Sequence, residues 1–379
     1  MTHNRRIFEN TTKAPKSEAF LEGTTGTRRA FLQSFVAAGA YAWMFPCLAH
    51  ARVQQPEAPS RQNRVDVHSH MLPPFYKEIR KSEPTGIGSS RSTAMSDWSP
   101  ALAVEDMDKH GIATAIMSLA VGGVSFEGPA GAGMARKGNE FGARMMSDYP
   151  NRFGLFASLP LPDREASFQE LAYALDVLKA DGIGLLTDYG NKWAGDPEYI
   201  PVFEELNRRN AVVMVHPTVP TCCGNLIPGI NSSMTEYLFD TTRAITSFLV
   251  NGTFTRFPNI KFIFCHSGGT IAVLADRISA MFPKEVSEHM PDGVLGELKK
   301  LHYDLANASN PAPLAALNAL IPKSQILFGS DFPFVPVEAT TKPLDLAVMS
   351  EADIRAINRG NAQRLFPRLK KLESRVVGS

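Results

Sequence analysis

Five side chains of this 379-residue chain have the types and spacing to build a metal centre. His68 and His70 stand two apart in Val65-Asp66-Val67-His68-Ser69-His70. His216 ends the run Val212-Val213-Met214-Val215, His266 ends Phe262-Ile263-Phe264-Cys265, and Asp331 follows Ile326-Leu327-Phe328-Gly329-Ser330. Alternate residues of a strand face one side, roughly 7 Å apart along it, so His68 and His70 can close on one ion. Three imidazoles and a carboxylate make a mixed nitrogen and oxygen set that suits Zn2+ or a neighbouring divalent metal. Taken singly, each residue has a plainer reading, as a hydrogen-bonded core histidine or an aspartate capping a turn. Their shared position at the end of an apolar run is what points to chemistry. The other five of the nine histidines lack it. His3 and His50 fall in the first fifty residues, His110 closes a helical segment, His289 lies in a polar loop and His302 lies within a run of its own.

Those positions converge only if the runs are strands of one sheet. Eight runs qualify: 65–67, 114–117, 153–156, 182–186, 212–215, 262–265, 302–304 and 326–328. Between them lie segments with helical periodicity at 100–110, 140–149, 166–179, 200–209, 241–256 and 269–281. Continuous apolar strands alternating with helices predict an α/β fold with a parallel sheet covered on its faces. Eight such repeats predict a (β/α)8 TIM barrel, in which the mouths of strands 1, 5, 6 and 8 surround a common axis. No Gly-x-Gly-x-x-Gly follows the first strand, which argues against a dinucleotide-binding sheet. The long connections 71–99 and 217–240 follow strands 1 and 5, on the face where barrel enzymes place their sites, and read as functional covers.

Composition excludes several classes. Hydrophobic residues make up 44% and charged residues 20% of the chain, which excludes wholesale disorder. With 39 basic against 38 acidic residues, no basic excess points to nucleic acid. No stretch approaches about 18 uninterrupted apolar residues, so no permanent membrane span is expected. Four cysteines are too few for a disulfide scaffold. Cys222 and Cys223 are adjacent, and neighbouring side chains diverge in an extended chain, so neither is assigned as a ligand. Cys265 alternates with His266 and is expected to point away from it.

The first fifty residues read as an address. Thr27-Arg28-Arg29-Ala30-Phe31-Leu32 resembles a twin-arginine export signal; an apolar run to Leu48 and an A-x-A-like site at Ala49-His50-Ala51 follow it. The expected organisation is an export signal over 1–51, a Pro/Gln-rich linker over 52–63, the barrel over 64–370 and a tail over 371–379, with the mature protein in the periplasm.

From about Val65 to Phe366 the chain resembles the amidohydrolase superfamily. More narrowly it is similar to the 2-amino-3-carboxymuconate-6-semialdehyde decarboxylase-related group, including 6-methylsalicylate decarboxylases. The matching segments are Val65 to Pro73, Val215-His216-Pro217, Phe264 to Gly269 and Leu327 to Phe334. The resemblance implies a barrel of the metal-dependent hydrolase type. It also implies one divalent metal per subunit, Zn2+ with Mn2+ as the alternative, held by His68, His70, His216 and Asp331. His266 is then the catalytic histidine beside the metal. Arg91, seven residues before Trp98-Ser99-Pro100, corresponds to an arginine that binds the substrate carboxylate. Arg277, eleven residues after His266, corresponds to one supplied by the neighbouring subunit, which makes a homodimer the expected assembly. Two-metal members of the superfamily carry a lysine at the end of strand 4, whereas Gly182 to Asp188 has none, so a mononuclear site is expected.

The implied activity is non-oxidative decarboxylation of a small aromatic acid such as 6-methylsalicylate. His266 and Asp331 are the candidate proton carriers, and Trp98 and Phe332 the candidate walls of a flat apolar slot, with Phe334, Leu72 and Pro73 also available. Two carboxylate-binding arginines favour the lyase over a hydrolase of a lactone or amide on the same fold, which would use the same ligands. A periplasmic protein that binds aromatic acids without turnover is the alternative from another class, and a fully furnished metal site argues against it.

Overall fold

A computed structural model describes residues 63–76, 97–119, 128–190, 192–223 and 226–369. Eight parallel strands form one sheet in sequence order: β1 (Arg64–Met71), β2 (Ile112–Leu119), β3 (Phe153–Ser158), β4 (Gly182–Leu186), β5 (Val212–His216), β6 (Lys261–Phe264), β7 (His302–Asp304) and β8 (Ile326–Leu327). The sheet closes on itself. Val67 N–H donates to Phe328 O at 3.0 Å, and His70 N–H donates to Phe332 O at 2.7 Å. The fold is therefore a (β/α)8 TIM barrel, and the eight apolar runs of the sequence are its strands.

Two apolar layers follow from strand alternation. Val65, Val67, Ile116, Met214, Ile263, Cys265 and Leu327 fill the interior, where Ala362, Phe366 and Leu369 of the C-terminal segment join them. The opposite faces, including Met117, Leu155, Leu185, Val213, Phe262 and Phe264, pack against the helices. In β1 the pairing register with β2 shifts between Asp66 and Ser69. That irregularity re-phases the strand, so that Val67 serves the interior while His68 and His70 both reach the mouth.

The covering helices are α1 (Pro100–His110), α2 (Gly128–Asp148), α3 (Arg164–Ala172), α4 (Ile200–Arg208), α5 (Glu236–Val250), α6 (Ile271–Met281), α7 (Gly293–Lys300) and α8 (Pro311–Leu320). Helix α1 has the bounds its sequence predicts. Ser99 caps it by accepting from Leu102 N–H at 3.3 Å, Pro100 opens it, and Gly111 ends it at φ 67°. Helix α2 begins twelve residues before the periodicity places it. Its first half is rich in glycine, a poor helix former, and packing overrides that preference. A Cβ at Gly142 would come within 2.5 Å of Leu155 Cδ1, so the missing side chain is what seats the helix on β3. Helix α3 runs on through a widened π-type turn at Tyr173–Val177. The segment expected at 241–256 divides into α5 and a short helix at Thr253–Arg256, broken by Gly252 at φ 65°.

An antiparallel pair, Asp188–Tyr189 with Lys192–Trp193, follows β4 and had no signal in the sequence. Among the described residues no helix is long and apolar enough to cross a membrane. His110, for which the sequence offers no partner, sets Nε2 2.9 Å from Glu338 Oε1.

Candidate active site and metal centre

His68, His70, His216 and Asp331 meet at the C-terminal mouth of the barrel, each buried, with their ligand atoms within 4.8 Å of one another. The ring centroids of His68, His70 and His216 lie 4.8–5.1 Å apart. That of His266 lies 5.0 Å from His68 and 6.0 Å from His216. Four runs far apart in the sequence thus end at one point.

Every imidazole is held from behind by its Nδ1. His68 Nδ1 is 2.9 Å from Asp304 Oδ2, and His70 Nδ1 is 2.9 Å from Ser118 Oγ. His216 Nδ1 is 2.7 Å from Pro217 O, and His266 Nδ1 is 2.9 Å from Ala306 O. A carbonyl or carboxylate acceptor puts the ring proton on Nδ1 and leaves the Nε2 lone pair directed at the centre. The Nε2 atoms of His68 and His216 are buried with no hydrogen-bond partner. Buried polar atoms are nearly always paired, so two orphaned acceptors beside a carboxylate fit a cation between them. His70 Nε2 lies 3.0 Å and His68 Nε2 3.4 Å from Asp331 Oδ1. The donor set of three imidazole nitrogens and one carboxylate therefore fits one divalent metal.

Electrostatics agree with that fit. Burial lowers the pKa of His216 well below the usual range, and the neighbouring His70 and His68 push the same way. Burial also lowers His70, against the pull of Asp331. Both rings are thus neutral, the form that binds metal. Asp331 is held well below the usual carboxylate range because contacts with His68 and His70 outweigh its burial. His68 moves upward: burial favours its neutral form, but the nearby Cys265 and Asp304 outweigh that. The acidic surroundings that favour a proton there also favour a metal cation.

Asp304, at the end of β7, is the residue the sequence analysis missed. It is fully buried, and besides His68 it accepts from His266 N–H at 3.1 Å and Ala306 N–H at 2.9 Å. The available signal was an aspartate at the end of a barrel strand, the same position as Asp331. The turn after β6 is equally specific. His266, Ser267, Gly268 and Gly269 all have positive φ, from 53° to 72°. A Cβ on Gly269 would sit 2.1 Å from Leu238 O, so glycine is required where this turn meets α5. The turn brings His266 to the cavity, while Cys265 packs into the interior below His68.

Beside the centre is a cavity of about 230 Å³, bordered by His216, His266 and Asp331 together with Tyr237, Asn307 and Phe334. Phe334 takes the wall position that the sequence analysis gave to Phe332. Its N–H donates to Asp331 O at 2.9 Å, closing a turn that sets its ring 5.1 Å from that of His70. Phe332 is half-buried against the outer core and does not line the cavity among the described residues. Trp98 is buried in that outer core, 6.3 Å from Phe141, and does not line the cavity either. Arg91 lies outside the described residues. Arg277 is exposed on α6, in a groove with Val250 and Met281 rather than at its own chain's cavity. Cys222 and Cys223 form a disulfide. A turn, with Cys223 N–H donating to Pro220 O at 2.9 Å, removes the extended geometry that would have kept them apart.

A family model described as amidohydrolase matches residues 65–368. The chain belongs to the amidohydrolase family. Decarboxylase yanB of Aspergillus niger is 35% identical over 336 residues, covering 83% of this chain and 90% of that protein. The 6-methylsalicylic acid decarboxylase of Penicillium expansum is 32% identical over 317 residues, covering 81% and 97%. A dihydroxybenzoic acid decarboxylase from Polaromonas sp. JS666, solved with bound manganese and the inhibitor 2-nitroresorcinol, shares the fold at a TM-score of 0.66. It is 21% identical and covers 81% of this chain and 97% of its own. Within its family this amidohydrolase is a metal-dependent carboxy-lyase.

Proposed function

We propose that this amidohydrolase releases CO2 from a small aromatic acid bearing a hydroxyl group beside its carboxylate, such as 6-methylsalicylate. The observation that carries the reading is the pair of orphaned, buried Nε2 atoms of His68 and His216, set with His70 and Asp331 beside a small cavity. A cavity of about 230 Å³ is below the roughly 300–1,000 Å³ of a drug-sized ligand site, which favours a one-ring substrate. The similarity to decarboxylases supports the lyase over the hydrolase and the non-catalytic binding protein.

His68, His70, His216 and Asp331 would hold the metal, Zn2+ or Mn2+. When bound, it supplies a Lewis acid for the substrate's oxygens. Loss of CO2 from an aromatic ring would leave charge on carbon, and prior protonation of the carboxyl-bearing carbon avoids this. A proton adds to that carbon, the carbon–carboxylate bond breaks, its electron pair restores the ring, and CO2 leaves. His266 is anchored through Nδ1 to Ala306 O, so its Nε2 is the atom that exchanges the proton. Asp331 sets Oδ1 beside the Nε2 atoms of His68 and His70, and its carboxylate is the other candidate to pass the proton to the ring. Phe334 provides the apolar wall. Arg91, and Arg277 from a second subunit of a homodimer, would pair with the substrate carboxylate through forked donors.

Purified protein, analysed for metal and then assayed for CO2 over a panel of hydroxybenzoates and lactones, tests the reading. One metal per subunit with CO2 from an ortho-hydroxybenzoate is expected. Two metals per subunit would overturn the mononuclear site, and ring-opened lactone without CO2 would overturn the lyase. Residues 1–62 lie outside the described residues, and we hold the export signal and the periplasmic location as part of this proposal. Changing Arg28 and Arg29 together to lysine should strand the precursor in the cytoplasm; normal periplasmic levels of mature protein would refute the twin-arginine route.

A further inference from the structure

His216 differs from the other two histidines of the centre in what supports it. Side chains hold His68 and His70 from behind, whereas His216 Nδ1 rests on the carbonyl of its own neighbour, Pro217. The ring is therefore only as well placed as the backbone from His216 to Thr218. That backbone is gripped by one residue from the adjacent strand. Thr187, directly after β4, donates its N–H to His216 O at 3.0 Å and accepts from Thr218 N–H through Oγ1 at 3.1 Å. The two bonds bracket Pro217, which has no N–H of its own to anchor it. The Thr187 hydroxyl, already an acceptor, gives its one proton to Asp240 Oδ2. Asp240 is fully buried in α5, and its other oxygen accepts from Trp193 Nε1 at 2.7 Å. The antiparallel pair after β4 thereby presses Trp193 onto the same carboxylate.

We propose that Thr187 and Asp240 are positioning residues for the metal centre, holding the Pro217 carbonyl and through it the Nε2 of His216. Neither lines the cavity, and neither belongs to the set of His68, His70, His216 and Asp331. Thr218 N–H can only donate, so the hydroxyl accepts there and has its one proton left for Asp240 Oδ2. An oriented backbone carbonyl thus does for His216 what Asp304 does for His68. The inference rests on the reading of His216 as a ligand, and the experiment separates the two.

Metal dissociation constants are measured by chelator competition for wild type, Thr187→Val, Thr187→Ser, Asp240→Asn and His216→Ala, together with visible spectra of the Co2+-substituted proteins. Thr187→Val keeps the shape and the N–H but removes the hydroxyl. Asp240→Asn keeps the shape but has one acceptor oxygen for two donors, the Thr187 hydroxyl and Trp193 Nε1, so an amide N–H must face one of them. Each should weaken metal binding by about 10–100-fold, the range seen when groups behind a ligand are lost, and should shift the Co2+ bands. Thr187→Ser restores the hydroxyl and should return both to near wild type. Wild-type affinity and spectrum in Thr187→Val and Asp240→Asn, or a defect in Thr187→Ser as large as in Thr187→Val, would overturn the proposal. Should Thr187→Val fail to fold, Asp240→Asn and Thr187→Ser decide. If His216→Ala also binds metal as wild type does, the ligand reading has failed; if it loses metal while the other variants keep it, only the positioning inference has failed.

Discussion

At the scale of the residue, Asp304 decides which nitrogen of His68 is free. One of its oxygens accepts two backbone N–H groups, from His266 and Ala306, and the other faces His68 Nδ1. Asp304→Asn keeps the volume but has only one acceptor oxygen. If that oxygen stays with the two N–H groups, the amide NH2 faces His68 and forces its proton onto Nε2, the atom aimed at the metal. Metal affinity should fall by about 10–100-fold, read by chelator competition, and wild-type affinity would show that His68 is oriented by something else. His266 makes the complementary case. Its ring is near the centre, but His68, His70, His216 and Asp331 could hold a metal as a four-ligand set without it. His266→Ala should keep its metal by elemental analysis and lose turnover by about 10²-fold or more. Loss of metal in that variant would move His266 from proton carrier to ligand.

Elements explain how these residues meet, and which of them a sequence can reveal. Helix α6 leaves the turn that holds His266, yet Arg277 lies on its exposed outer face in a groove with Val250 and Met281. An arginine there is away from its own chain's cavity, and the proposed homodimer assigns it to the neighbour's. Arg277→Ala should raise KM and leave metal content unchanged. Mixing inactive His266→Ala with inactive Arg277→Ala chains should restore activity, because one site of a mixed dimer keeps both residues; no recovery while subunits demonstrably exchange would refute a shared site. The strand ends and their histidines were legible because a buried parallel strand is a continuous apolar run and a polar residue at its end stands out. Asp304 ends a strand of only three residues, and its partner His68 is 236 positions away, so its role exists only once the barrel closes. The glycine-rich start of α2 was illegible for a related reason: Gly138 packs on Leu119 of β2, and Met134 and Ala135 are buried, contacts made only in the folded barrel. Phe334 displaced Phe332 through the turn at Asp331, which spacing along the chain does not encode.

Across the whole molecule, closing the barrel places ionisable groups that have no part in the chemistry, and these shape stability. His302, in β7, is buried and faces Phe262 O at 3.3 Å through Nδ1. Burial pushes its pKa down to about 4, with the Phe262 carbonyl opposing. In the unfolded chain the same ring titrates near 6.5. Between those values the unfolded state binds more protons than the folded one, so stability increases with pH in that window and is lost on acidification below about 6.5. At pH 4 the loss from this one ring amounts to roughly 3 kcal/mol. His302→Gln removes the titrating group while keeping an amide to face the carbonyl. Unfolding free energies from denaturant titration should therefore fall less steeply for the variant than for wild type between pH 6.5 and 4, whatever offset the substitution introduces at neutral pH. Parallel curves across that interval would mean that His302 is already protonated in the native barrel, or reached by water, and that this end of β7 is more open than the packing around it indicates.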